Sequence, residues 1–496
     1  MSTSGGPPSA RTRTAVVALL PALLVATAAC SPADDDAALD PPAPTTAAPT
    51  PTGTAPEQDV ALPDGPAGEA AGWLLDRLAD PVGTPLGSGE DRFAADFLAE
   101  VPAAELEALL DQLRAQAPWT VTGASGGAGG VVVTVEGGGT SLDMQVAVDA
   151  EGLVQGLFFA PTPPPREPAA SWEELGEEVE GWDVRSGLLV ARVDADGTCT
   201  PVGGAPAGTA PGEPLPMGSV AKLYVLGAVV DAVAAGELAW EDALTVTDDV
   251  RSLPSGRLQD APDGTTVTVL EAARDMIAIS DNTATDLLVA AVGRNRVEAA
   301  VADMGHADPG SLAPFPTTRD LFRLGWGGGP ELRSAWRDGD EAERRTLLED
   351  LPPGPLQIDG AALAATVAWP DGVDWFGTPL DLCAAHVALA ERGATPAGEP
   401  VREILAANPG VARADGEAGA VPEATWPFLA FKGGSAPGTM AGAWYAEGPA
   451  GTGDGGAPER VVVVLQTAAS TVEGALPAAT MVGVVADALR LAADEG

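Results

Sequence analysis

The sequence predicts an α+β protein with a small domain over residues 66–163 and a larger one over 168–496. Three observations predict it. The 496 residues exceed what one ordinary domain holds. Proline-rich stretches at 31–65 and 161–165 interrupt the apolar patterning. The intervals they leave each carry both helical and strand-like apolar spacing.

Residues 1–30 read as an export signal. Arg11 and Arg13 precede an apolar run at 15–29 that is too short for an ordinary spanning helix. The run ends in Thr27-Ala28-Ala29-Cys30, small residues just before a cysteine. This resembles the lipobox of bacterial lipoproteins, with Thr27 where leucine or valine is usual. The resemblance implies that Cys30 is diacylated and anchors the chain at the outer face of the cell membrane. The alternative is an ordinary cleaved signal. Residues 31–65 follow as a Pro/Ala/Thr-rich tether with too few large apolar side chains to offset chain entropy.

In the small domain, Trp73, Leu74, Leu75 and Leu78 are helically spaced. So are Phe93, Phe97 and Leu98, and then Leu106, Leu109, Leu110 and Leu113. Strand-like runs follow at 131–135, 142–148 and 153–159, with a glycine cluster at 126–130 that reads as a hairpin loop. The cluster lacks the G-x-G-x-x-G spacing of a phosphate site. No convergent acid, base or metal set appears, so the domain reads as non-catalytic.

Composition narrows the function. Lys and Arg number 26 against 71 acidic residues, a net charge of -45, which argues against nucleic-acid partners. There are 2 histidines, His306 and His386, with no HExxH and no Cys/His cluster at zinc-ligand spacing. Both read as structural, so a nucleophile here needs a base other than histidine, and no cofactor is expected. With Cys30 assigned to lipid, Cys199 and Cys383 can pair if their geometry allows.

The larger domain opens with strand-like residues at 187–193. Met217-Gly218-Ser219-Val220-Ala221-Lys222 then begins a strongly apolar helix reaching about residue 235. Positions three apart share a helix face, so Lys222 can reach Ser219, and a desolvated lysine can serve as the base for a serine hydroxyl. The bland reading is that Ser219 caps the helix. Ser280-Asp281-Asn282 lies between two amphipathic segments. It is either a polar cap for the second helix or a pair of groups, Ser280 relaying a proton and Asn282 offering its amide to substrate. Late in the chain Lys432-Gly433-Gly434-Ser435 precedes the strand-like 441–446. It is either a Gly-rich hairpin turn or a strand edge for substrate, with Lys432 supplying positive charge.

Taken together, these stretches resemble the S-x-x-K, S-D-N and K-T-G elements of the class A β-lactamase and penicillin-binding-protein superfamily. Glycine stands in place of the threonine of the third element, and Ser435 partly replaces its hydroxyl. The resemblance implies Ser219 as nucleophile, Lys222 as base and Ser280 as relay. It further implies Asn282, Lys432, Gly434 and Ser435 at the substrate, with an oxyanion hole from the Ser219 and Ser435 N–H groups. The implied fold is an antiparallel sheet flanked by helices, with a helical subdomain.

Class A β-lactamases also carry a deacylating glutamate on an omega loop before a Thr-Thr segment. Thr317-Thr318-Arg319-Asp320 resembles that segment, and the connection before it, 307–316, contains no glutamate. Its nearest acid, Asp308, is expected to face solvent. The whole layout is similar to the LpqF-type lipoproteins and the esterase group of clavulanic acid biosynthesis. In that group the first domain resembles the steroid-isomerase-like α+β cone. The expected protein is an exported, lipid-anchored serine hydrolase of small acyl esters with weak or no β-lactamase activity. The alternatives are a peptidoglycan D,D-carboxypeptidase, a true β-lactamase, or a non-catalytic envelope binding protein.

Overall fold

The computed structural model describes residues 60–494 except 128–129, 150, 163–165, 254, 359, 412–420, 452–455 and 473. The chain divides into two compact units, Met1–Pro165 and Arg166–Gly496. The expected signal, the Cys30 lipidation site and most of the tether lie outside the described residues.

In the first unit, α1 (Pro66–Leu78) starts on a proline in its first turn and buries Ala67, Ala70, Ala71, Leu74 and Leu78. Helices α2 (Ala95–Glu100) and α3 (Ala103–Arg114) follow. Phe93 precedes α2 instead of belonging to it, and bridges to Val154. Four antiparallel strands run in sequence order: β1 (Thr120–Gly127), β2 (Gly130–Gly137), β3 (Thr140–Val148) and β4 (Val154–Pro161). Val131, Val133 and Val135 alternate inward from β2 and meet Met144 and Val146 of β3. Strand β1, T-V-T-G-A-S-G-G, was not expected, because its small residues give almost no apolar alternation. The described helices and sheet are α+β.

The second unit begins with α4 (Trp172–Glu180), β5 (Arg185–Val193), β6 (Cys199–Pro201) and β7 (Leu215–Pro216). Helix α5 (Lys222–Ala234) comes next, then β8 (Ala243–Thr245), β9 (Thr266–Thr268), α6 (Val269–Ala278), α7 (Asn282–Val292) and α8 (Arg294–Asp303). Helix α9 (Thr318–Phe322) leads through α10 (Gly329–Asp338), α11 (Glu341–Glu349) and α12 (Gly360–Ala365) to β10 (Phe376–Gly377). Helices α13 (Pro379–Gly393) and α14 (Val401–Ala406), strands β11 (Phe428–Ala436), β12 (Thr439–Glu447) and β13 (Arg460–Ala468), and α15 (Ala478–Asp494) complete it.

The main sheet has the order β11-β12-β13-β5-β6. Strand β13 is covered on both faces, which is why it reads as an unbroken run of valines. Val461, Val463 and Leu465 pack with α15, while Val462 and Val464 join the core built around α5. Helix α5 is buried nearly all round and sits among α7, α8 and α13. Cys199 and Cys383 form a disulfide between β6 and α13.

One expectation is corrected, and one of two open readings is decided. The helical stretch after Ser280-Asp281-Asn282 is two helices, broken at Gly293 with φ of 83°. Lys432-Gly433-Gly434-Ser435 is no hairpin turn. It lies inside β11, and the turn to β12 comes later, at Gly438.

Candidate active site

The Ser219 turn is held from behind. Strand β7 pairs with β10, the Met217 N–H donates to the Trp375 carbonyl at 2.9 Å, and the Gly218 N–H donates to Asp374 Oδ1 at 2.9 Å. Gly218 has φ of 49°, a left-handed conformation that glycine takes without strain. Ser219 sits in a single 3-10 turn, Gly218–Ala221, and Lys222 opens α5 directly behind it. That turn is half-open at Ser219, whereas Lys222 is buried.

The S-D-N stretch comes between α6 and α7. Asp281 caps α7 through the Ala284 N–H at 2.8 Å, and its other oxygen accepts from Arg257 and Leu258 N–H at 2.7 and 2.9 Å. Gly256 is required there, since a Cβ would lie 2.3 Å from the Asp281 carboxyl carbon. So pinned, the chain turns sharply at Ser280. Among the described residues Ser280 is the non-glycine residue with positive φ, 57°. Such a conformation costs on the order of 1 kcal/mol or more and marks a constrained site.

That turn aims Ser280 and Asn282 at the two lysines. Lys222 Nζ donates to the Ser280 carbonyl at 2.6 Å, to Ser280 Oγ at 3.1 Å and to Asn282 Oδ1 at 2.6 Å. Lys432 Nζ donates to the same Ser280 Oγ at 3.0 Å and to the Gly433 carbonyl at 2.6 Å. Ser280 Oγ therefore bridges two buried amines. Burial pushes Lys222 well below the usual lysine range, and the charge of Lys432 pushes it further. Burial brings Lys432 down to about 7.

Asn282 Oδ1 takes Lys222, and its Nδ2 donates to the Leu253 carbonyl at 3.1 Å, which uses one of the two N–H groups of the amide. Among the described residues no hydrogen bond joins Ser219 Oγ to Lys222. Catalytic contacts of this kind commonly tighten only once substrate is bound.

Strand β11 closes the other side. A Cβ on Gly434 would lie 2.2 Å from the Met217 carbonyl oxygen and 2.7 Å from the Ser219 nitrogen, while one on Gly218 would lie 3.0 Å from the Ser435 nitrogen. The two glycines thus let the backbones carrying the Ser219 and Ser435 N–H groups approach each other. At Gly433 the Phe431 ring stands 2.7 Å from where a Cβ would be. Phe431 is itself held against Trp444.

Asp308, the acid expected nearest, is exposed. Besides Asp281 of the S-D-N stretch, Asp374 and Asp286 are described carboxylates that act on the site, and neither of these two was singled out in the sequence. Burial raises both to about 7. Asp286 accepts from the Thr318 and Arg319 N–H groups at 2.9 Å each and exerts a field that favours protonated Lys222. Asp374 contacts the Ser219 turn across 156 positions of sequence, so no local motif could reveal it. A helix start does mark its neighbourhood: Thr378 and Asp381 form a capping box with Pro379 at the first position.

The histidines stand outside this constellation. His306 Nε2 meets the Phe376 carbonyl at 3.0 Å, and His386, buried and lowered to about 4, meets that of Ala443 at 3.2 Å. Among the described residues no group of three or more His, Cys, Asp or Glu could hold a metal.

Comparison with known proteins follows the same lines. Residues 202–319 match the beta-lactamase enzyme family. That match spans Ser219, Lys222, the Ser280-Asp281-Asn282 stretch and Thr317-Thr318. The second unit is β-lactamase-like in fold, a mixed helix and sheet architecture. Residues 62–154 match the N-terminal region of the ORF 12 gene product. No match is found among curated proteins. Among solved structures, PBP-A is 17% identical, covers 67% of this chain and 99% of its own, and has a TM-score of 0.42. A β-lactamase from Sphaerobacter thermophilus DSM 20745 is 19% identical over 66% of this chain and 98% of its own, TM-score 0.43. An ancestral class A β-lactamase is also 19% identical, over 65% and 98%, TM-score 0.39. Identities and TM-scores this low decide nothing about the reaction, which has to be read from the site.

Proposed function

We propose that the second unit is a serine hydrolase that cleaves small, uncharged acyl esters through an acyl-enzyme on Ser219. The convergence of Lys222 and Lys432 on Ser280 Oγ, directly behind the Ser219 turn, carries this reading. A neutral lysine amine has two N–H donors and one lone pair. The Ser280 carbonyl and Asn282 Oδ1 can only accept, so they take both donors, and the lone pair is left for a hydroxyl. Lys222 then accepts the Ser219 proton as Oγ attacks the ester carbonyl, and the Ser219 and Ser435 N–H groups hold the developing oxyanion. Ser280 passes a proton to the departing alkoxide and is resupplied by its lysine neighbours. Water then attacks the acyl carbon, releasing the acid and restoring the Ser219 hydroxyl.

The preference for an uncharged ester follows from Lys432. It is 2% exposed and bonded internally, and Gly433 supplies no hydroxyl to help bind a carboxylate. A stable β-lactam acyl-enzyme persists in such a site, whereas a simple ester turns over. The same reading makes the protein an exported lipoprotein anchored through Cys30, from the sequence alone, and a Cys30→Ala chain should lose its membrane association on fractionation.

A fluorophosphonate probe tests the nucleophile. Labelling should vanish in Ser219→Ala and remain in Ser470→Ala, a change at an exposed position. An unlabelled wild-type protein would instead indicate a binding module, and rapid steady-state opening of a chromogenic cephalosporin would indicate a β-lactamase.

A further inference from the structure

Asp374 lies outside every motif of the sequence, yet it touches the turn that presents the nucleophile. Its Oδ1 accepts from the Gly218 N–H at 2.9 Å and from its neighbour Trp375 N–H at 2.8 Å. The next link is backbone: Met217 N–H to the Trp375 carbonyl, continued by the pairing of Phe376 with Pro216 and Gly377 with Leu215. On the opposite side the same turn meets Gly434 and Ser435, close enough that a Cβ on Gly218 would lie 3.0 Å from the Ser435 nitrogen. Gly218 is thus clamped between a carboxylate and strand β11.

Gly218 has no side chain to fix its conformation, and glycine visits positive and negative φ with comparable ease. Its φ of 49° must therefore be imposed from outside. The peptide that follows Gly218 carries the Ser219 N–H, one of the two expected oxyanion donors. Any rotation about Gly218 re-aims that donor. Asp374 is 7% exposed, and its described hydrogen-bond partners are backbone groups of Met217, Gly218 and Trp375, the segments it holds together.

We infer that Asp374 is a positioning residue for acyl transfer, holding the Met217-Gly218-Ser219 turn so that the Ser219 N–H points at the developing oxyanion. This rests on the acyl-enzyme reading above. The role belongs to the geometry of the acceptor oxygen and not to its charge, because an acceptor in that place suffices to hold both N–H groups. A misplacement of about 1 Å in a reacting group costs around 10²-fold in rate.

Two substitutions separate geometry from charge. Asp374→Asn keeps an acceptor oxygen at the same place and removes the charge. Asp374→Glu keeps the charge and displaces the carboxylate by one methylene. Each is compared with wild type for kcat and KM on 4-nitrophenyl butyrate and for the rate of fluorophosphonate labelling, with thermal melting as the folding control. Asp374→Asn should stay within about 5-fold of wild type in kcat. Asp374→Glu should lose on the order of 10²-fold in kcat with KM little changed, while melting as a folded protein. Equal activity of the two variants, or an Asp374→Asn loss as large as that of Asp374→Glu, overturns the inference. If Asp374→Glu does not fold, Asp374→Ala, which removes the acceptor, is read in its place, and an Ala variant within about 5-fold of wild type overturns the inference. Should wild type itself show neither labelling nor ester turnover, the acyl-enzyme reading fails, and this inference falls with it for a distinguishable reason.

Discussion

Replacing Lys222 with methionine is expected to slow acylation of Ser219 by on the order of 10³-fold, with KM for a small ester little changed. Methionine fills similar space without a lone pair, so the serine keeps its place and loses its base. Stopped-flow release of 4-nitrophenol measures the acylation step directly. The pH profile of wild type adds a second readout. Lys222, held well below the ordinary lysine range, must be neutral to act, so the rate falls on the acid side as it gains its proton. Lys432 loses its positive charge beside Ser280 Oγ as pH rises through about 7, and with it the field that assists departure of the alkoxide, so the rate also falls on the alkaline side. With both limbs present the profile is bell-shaped. In Lys222→Met the acid limb should disappear. A Lys222→Met enzyme within 10-fold of wild type would contradict the assignment of the base.

Gly434→Ala is expected to cost about 10²-fold in acylation rate and to destabilise the fold by about 1–3 kcal/mol. The added methyl would meet the Met217 carbonyl oxygen at 2.2 Å, the Ser219 nitrogen at 2.7 Å and the Val220 nitrogen at 2.9 Å. All three are backbone atoms, so no side-chain rotation relieves the contact. Either β11 or the Ser219 turn must move, and both carry an oxyanion donor. Thermal melting and kcat on the same ester check the two parts of this prediction separately. A variant with unchanged kcat would show that Gly434 does not bound the reacting site.

The parts of the site that were legible in the sequence are local. Ser219 and Lys222 stand one helical turn apart, and Ser280-Asp281-Asn282 is contiguous, so spacing alone brings each set to one place. The sheet was legible where burial leaves a continuous apolar run, as in β5. What escaped depends on contacts far apart in sequence. Helices α5 to α12 and strands β8 and β9 lie between Gly218 and Asp374 in sequence, and nothing in Val373-Asp374-Trp375 announces the contact.

Glycine blurred two strands. Lys432-Gly433-Gly434 has turn-like composition, yet it is held in β11 by pairing along β12 and by the close packing of the Ser219 turn. Strand β1 was hidden by its glycines and small side chains, although it pairs with β2 over most of its length. Asn282 shows another limit. Its position was evident from S-D-N, but the direction of its amide follows from Leu253 and Lys222, which only the folded loop brings to it.

Intact-mass spectrometry of the protein quenched during turnover of 4-nitrophenyl butyrate tests the central claim most directly. The expected result is a population heavier by one butyryl group, mapped by peptide digestion to Ser219 and disappearing once the ester is exhausted. Sustained, saturable turnover with no covalent adduct, or with the butyryl group on a residue other than Ser219, would contradict it.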